Sequence, residues 1–138
     1  CYNTAVGYAS LCSNTTGACN IALGSNALLS NTTADRNTAL GYSAMACNTT
    51  GSRNVAVGFC SLFSNTTGCQ NASMGDFAMA CNTTGSFNTT IGYGAMTDNT
   101  TGSANTALGH TAMTNNTTGS NNTAVGILTI SLVYNKLY

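Results

Sequence analysis

The sequence predicts an all-β fold, a β-solenoid (β-roll) of about eight stacked seventeen-residue coils ending in a C-terminal strand. Three observations predict it. First, Asn-Thr-Thr recurs at Asn14, Asn31, Asn48, Asn65, Asn82, Asn99 and Asn116 with no insertion or deletion between copies. A second asparagine follows six residues after each, at Asn20, Asn37, Asn54, Asn71, Asn88, Asn105 and Asn122, with Asn3 ahead of the first. A strict short period makes each copy one structural unit that buries its apolar side only against its neighbours. Second, the Asn-Thr-Ala-Leu-Gly stretch alternates with period two and favours strand. Third, glycine and asparagine interrupt every copy, which breaks any helix longer than about two turns, and helical repeats need a period of about 33 residues or more.

Within one copy the elements follow in order. Asn48-Thr-Thr-Gly-Ser-Arg53 reads as a corner, because asparagine and glycine tolerate left-handed backbone. Asn54-Val-Ala-Val-Gly58 reads as a strand closed by glycine, and Phe59-Cys-Ser-Leu-Phe63 carries the chain onward. Two apolar slots are expected to fill the core: Val6, Leu23, Leu40, Val57, Met74, Ile91, Leu108 and Val125, then Leu11, Leu28, Met45, Leu62, Met79, Met96, Met113 and Ile130. A third slot is variable: Tyr8, Ser25, Tyr42, Phe59, Asp76, Tyr93, His110 and Ile127. Coils stack about 4.8 Å apart. Such a core is thin beside the entropy of ordering each coil, so side-chain ladders, main-chain bonds and other chains are expected to contribute. Residues 1–126 form the repeat array, and 127–138 form a strand-rich segment that either caps the open end or adds to the next subunit in a head-to-tail filament.

Charged residues make up 4% of the chain and the formal net charge is zero, so no footprint for nucleic acid or an anionic membrane surface is present. No apolar run approaches the roughly 20 residues of a membrane span, and no membrane insertion is expected. Seven cysteines point to an oxidising, extracellular or surface setting. Cys47 and Cys81 share a slot two copies apart, about 9.5 Å, which is beyond disulfide reach. Cys1 and Cys19 fall one slot apart in adjacent copies and are the candidate pair; the alternative is that several cysteines are simply small buried residues. The chain opens in mid-repeat at Cys1 without a signal-peptide pattern, as a mature product or a fragment of a longer array would.

Asn37-Thr-Ala-Leu-Gly-Tyr-Ser-Ala-Met45 and Asn105-Thr-Ala-Leu-Gly-His-Thr-Ala-Met113 resemble the head repeats of trimeric autotransporter adhesins. They look closer still to repeats of bacterial and phage tail-fibre-like surface proteins, over about residues 1 to 130. The resemblance implies a left-handed β-roll, commonly bundled as three chains, acting as an adhesive or spacer segment on a surface.

Asn-Thr-Thr is also an N-glycosylation acceptor, which makes Asn14, Asn31, Asn48, Asn65, Asn82, Asn99 and Asn116 candidates, with Asn71, Asn88, Asn115 and Asn121 in further matching triplets. The competing reading is an internal ladder of stacked asparagine amides. Threonine hydroxyls offer a route to O-linked sugar, and regular threonine ranks offer an ice-binding face. The ice-binding reading is weakened because adjacent threonines in a strand point to opposite sides. No enzyme activity and no cofactor beyond covalent glycans is expected. His110 is a single histidine in a slot otherwise filled by tyrosine, and Asp35, Asp76 and Asp98 occupy three different slots. The expected function is a structural segment of an extracellular fibre or filament, glycan-bearing and homo-oligomeric or polymerised head to tail. The alternatives are an adhesin head or tail-fibre segment that binds a surface receptor, and an ice-binding solenoid.

Overall fold

The structure, a computed structural model, describes residues 2–128. Each coil contributes one three-residue strand: β1 (Thr4–Val6), β2 (Ile21–Leu23), β3 (Thr38–Leu40), β4 (Val55–Val57), β5 (Ala72–Met74), β6 (Thr89–Ile91), β7 (Thr106–Leu108) and β8 (Thr123–Val125). They form a single eight-stranded sheet in sequence order, with every neighbouring pair parallel. The register never slips: Ala39 lies opposite Ala56, and Ala56 opposite Ser73. At about 4.8 Å per strand the sheet runs roughly 34 Å along the stack. Among the described residues the protein is an all-β solenoid without helix.

Side chains alternate along each strand, and a three-residue strand therefore sends its centre one way and both flanks the other. The centre points inward. Ala22, Ala39 and Ala56 are fully buried, and Ser73 and Thr90 take the same position in β5 and β6. Facing them, the opposite wall of the coil supplies Leu28, Met45, Leu62, Met79, Met96 and Met113, all fully buried. Where alanine gives way to Ser73, the chain compensates: Ser61 Oγ lies 2.8 Å from Ser73 Oγ as donor, so the added hydroxyls satisfy each other.

One expectation is corrected here. The first apolar slot does not enter the core: Leu23 is 44% exposed, Leu40 41%, Ile91 41% and Leu108 43%, and Val6, Met74 and Val125 are likewise exposed. With only one inward position per strand, alanine takes the interior and the aliphatic residue is left on the outer face beside the strand's first residue. The core is thus one large side chain per coil plus alanines.

Glycine is required where coils approach most closely. The column Gly7, Gly24, Gly41, Gly58, Gly75, Gly92 and Gly109 holds φ between 125° and 135°. A Cβ on Gly58 would stand 2.6 Å from the carbonyl carbon of Gly75 in the next coil. Two residues past this column the corner turns through left-handed backbone at Asn26, Ser43, Cys60 and Phe77. The amide two residues further on changes direction along the rod. Leu28 and Met45 donate forward to Ala44 O and Ser61 O at 3.0 and 3.1 Å, whereas Met96 and Met113 donate backward to Ala78 O and Ala95 O, both at 2.8 Å. Of the segment 127–138 expected as cap or connector, Ile127 and Leu128 are exposed and outside any strand, and the remainder lies outside the described residues.

Gly58→Ala is expected to lower unfolding free energy by at least about 2 kcal/mol in urea titrations, from backbone strain plus the carbonyl clash. Leu62→Ala should cost about 2–5 kcal/mol as a buried truncation, while Leu40→Ala in dilute, unassociated protein should cost well under half of that. Equal losses for the two leucines would overturn the inward–outward assignment.

Candidate functional site

The seven Asn-Thr-Thr asparagines form a continuous ladder. Each Nδ2 donates to Oδ1 of the asparagine one coil earlier: Asn31 to Asn14 at 2.8 Å, Asn48 to Asn31 at 3.0 Å, Asn65 to Asn48 at 2.8 Å, and on through Asn82, Asn99 and Asn116. The other amide hydrogen closes the corner locally, as when Asn65 Nδ2 reaches Gly68 O at 2.9 Å. The second column works differently. Its Oδ1 atoms accept backbone N–H groups of the next coil, for example Asn54 N–H to Asn37 Oδ1 at 2.9 Å. Its Nδ2 crosses the coil to the same carbonyl the first column uses, so Asn54 Nδ2 also meets Gly68 O at 2.9 Å. Each such carbonyl thereby spends both lone pairs and ties the two columns together. Among the described residues the first ladder ends at Asn116, whose buried Oδ1 meets no donor there; the sequence has Val133 where the next rung would fall.

This geometry bears directly on the predicted sugar sites. Asn31, Asn48, Asn65, Asn82, Asn99 and Asn116 are buried, as are Asn71 and Asn88, and both amide hydrogens of each are engaged. Asn14 is half-buried and donates to Gly17 O at 3.0 Å. A sugar on any ladder nitrogen would remove a donor and demand space inside a closed corner. By contrast, Asn115 and Asn121 are exposed. The paired threonines lie in bends rather than strands. The first of each pair caps the next coil, as Thr49 Oγ1 does on Thr66 O at 3.0 Å. The second forms an exposed column through Thr16, Thr33, Thr50, Thr67, Thr84, Thr101 and Thr118. Only a single threonine rank therefore faces water from this motif, which is less than a flat two-rank ice-ordering array.

Cys1 lies outside the described residues, so its pairing with Cys19 does too. Cys12, Cys19 and Cys81 are exposed thiols, and Cys47, Cys60 and Cys69 are half-buried thiols. Burial first, and the Asp76 carboxylate second, push the Cys60 thiol up from its ordinary value, which lowers its thiolate fraction at neutral pH. Cys60 and Cys81 line an apolar groove of about 360 Å³ with Phe63 and Phe77. His110 stacks on Tyr93 at 5.2 Å and 15°. Asp35 and Asp76 each cap a backbone amide one coil away, Ala18 at 2.7 Å and Phe59 at 2.8 Å. Among the described residues no three His, Cys, Asp or Glu side chains gather as metal ligands.

The described surface also carries extended apolar columns. Along the outer sheet face run Leu23, Leu40, Met74, Ile91 and Leu108, with Ile21 exposed beside them. Past the glycine column, rings form a second column: Tyr42 stacks on Phe59 at 5.3 Å, Phe59 meets Phe77 edge to face at 5.2 Å, and Phe77 meets Tyr93 edge to face at 6.4 Å. Phe77 bridges the coil where Asp76 interrupts the aromatic slot. Slot-by-slot reading misses that, because the bridge comes from a neighbouring slot.

Removing a rung should expose how much the ladder carries. Asn65→Ala strands Asn82 Nδ2, Asn48 Oδ1 and one donor to Gly68 O, a loss on the order of 3 kcal/mol by denaturant titration. Asn65→Asp puts a carboxylate against Asn48 Oδ1 and Gly68 O, so its pKa should rise on folding. Stability of that variant is then retained below the unfolded carboxylate pKa and lost as pH rises through the folded one. Its deficit relative to the parent is expected to be larger at pH 7 than at pH 4, and a pH-independent deficit would contradict the ladder. Set against known proteins, the chain matches no protein-family model, no curated protein and no solved structure.

Proposed function

We propose that the chain is a shaft segment of an extracellular or surface fibre, mechanical rather than catalytic, and that it works as a homo-oligomer packed through the outer face of its sheet. The observation that carries this reading is the apolar row on that face, with Leu23, Leu40, Met74, Ile91 and Leu108 each more than 40% exposed and Val57 half-buried among them. A continuous exposed apolar strip marks an interaction surface. An identical copy is a fitting partner: its own row has the same coil spacing, so rows laid side by side mesh in register along the whole length. Association also supports a coil whose private core holds one large side chain. The resemblance of Asn37–Met45 and Asn105–Met113 to adhesin-head and tail-fibre repeats points the same way, towards a three-chain bundle.

Cysteine content supports an oxidising, extracellular location. Covalent sugar belongs on the exposed Asn115, Asn121 or threonine column rather than on the buried rungs. A second reading, an adhesive segment that engages a receptor, is favoured by the ring column from Tyr42 to Tyr93, which stays outside the sheet face and is 50% and 55% exposed at its tyrosine ends.

Sedimentation velocity tests the shaft reading. The parent chain is expected to sediment as a multimer, and Leu40→Asp with Ile91→Asp as a monomer that keeps its β spectrum; a monomeric parent at about 100 μM would sink the proposal. Intact mass of native material before and after deglycosylation tests the coat. Excess over 14.0 kDa should map to Asn115, Asn121 or threonine. Sugar found on Asn48 or Asn82 of folded protein would contradict the burial argument.

A further inference from the structure

Of the three cationic side chains in the sequence, Arg36 and Arg53 occupy the same corner position of successive coils. Their backbones are locked in step: Arg36 N–H bonds Ala18 O at 3.0 Å and Arg53 N–H bonds Asp35 O at 3.0 Å. Both have left-handed φ, 59° and 62°, and both are exposed. The coil does not demand arginine there. Cys19, Gln70, Phe87, Ala104 and Asn121 fill the same corner with the same handedness, all exposed. Yet placing two guanidinium groups on rungs about 4.8 Å apart costs like-charge repulsion that any neutral residue would avoid.

One nearby carboxylate offsets at most half of the paired charge. Asp35 is the carboxylate of this corner, and its Oδ1 is already held by Ala18 N–H at 2.7 Å. The two arginines, Asp35, Ser52, Cys69 and Gln70 line a hollow of about 340 Å³, with Gln70 N–H bonded to Ser52 O on the preceding rung. A planar guanidinium fork takes oxyanions through paired, charge-assisted hydrogen bonds.

We infer that the Arg36–Arg53 corner is a binding site for an oxyanion, a sulfate or carboxylate group presented either free or on an acidic polysaccharide. Two forks on adjacent rungs clamp one group between them, or take consecutive groups of a polymer laid along the rod. The site is independent of the aliphatic sheet face and of the oligomer proposed above.

The test is an NMR titration with sodium sulfate at constant ionic strength, following the arginine Nε–H resonances. Saturable shifts are expected in the parent chain. Arg36→Gln and Arg53→Gln should each weaken binding at least about fivefold, and both should fold normally because Gln70 occupies the same corner. Asp35→Asn, which keeps the acceptor for Ala18 N–H, should tighten binding. Asp98→Asn makes the same change in net charge elsewhere on the rod and should leave binding unaltered. Shifts that rise linearly with sulfate, persist in both glutamine variants, or follow net charge in Asp98→Asn would overturn the site. Repeating the titration with dextran sulfate separates the sources: tighter binding per sulfate group identifies a polymeric ligand, and equal binding a free anion.

Discussion

Everything else in this molecule depends on the shared carbonyl at each corner. Gly68 O accepts one hydrogen from Asn65 and one from Asn54, and the equivalent Gly51 O accepts from Asn48 and Asn37. Buried amides are costly when unpaired and strongly stabilising when every hydrogen and lone pair is used. The network is complete only if each asparagine stands directly over the one below. A single inserted residue would break both columns at once, and this gives a physical reason for seven Asn-Thr-Thr copies at constant spacing. Register in ordinary sheets is set by apolar patterning; here it is set by polar side chains inside the coil.

That solution leaves the hydrophobic effect a minor partner within one chain. Polar rungs occupy interior volume that would otherwise hold aliphatic residues, and the remaining space admits one leucine or methionine per coil with alanine opposite. The displaced aliphatics are carried on the outer face. A rod of this kind holds its shape through hydrogen bonds, and in the proposed oligomer it would gain further apolar burial by associating, so folding of the coil and the proposed assembly would draw on different surfaces.

Between those surfaces lie corners whose identity the fold leaves open. The left-handed position shared by Arg36, Arg53 and Gln70 also accepts cysteine, phenylalanine, alanine and asparagine. The slot after the glycine column accepts tyrosine, phenylalanine, aspartate and histidine. Constant columns build the scaffold and variable columns decorate it, and any recognition the rod performs is written in the variable ones. The ring column from Tyr42 to His110 and the arginine pair are local departures of that kind.

The repeat by itself determined the solenoid, the coil length, the strand in each Asn-Thr-Ala-Leu-Gly stretch, the glycine corner and the existence of two asparagine columns, because each follows from period and backbone preference alone. It gave the wrong sense of the strand, placing Leu23, Leu40 and their equivalents in the core. Period-two alternation separates Ala39 from Thr38 and Leu40, but both sets contain apolar residues, so hydrophobicity could not say which set faces inward. Only the closed coil decides that: a three-residue strand has one inward position, and the narrow interior shared with the asparagine rungs admits alanine there and excludes leucine. The same closure put Asn31 to Asn116 out of reach of solvent, paired Ser61 with Ser73, and let Phe77 bridge the gap at Asp76. These are contacts between coils, and a reading along the chain has no access to what stands seventeen residues above or across the channel until the stack is built.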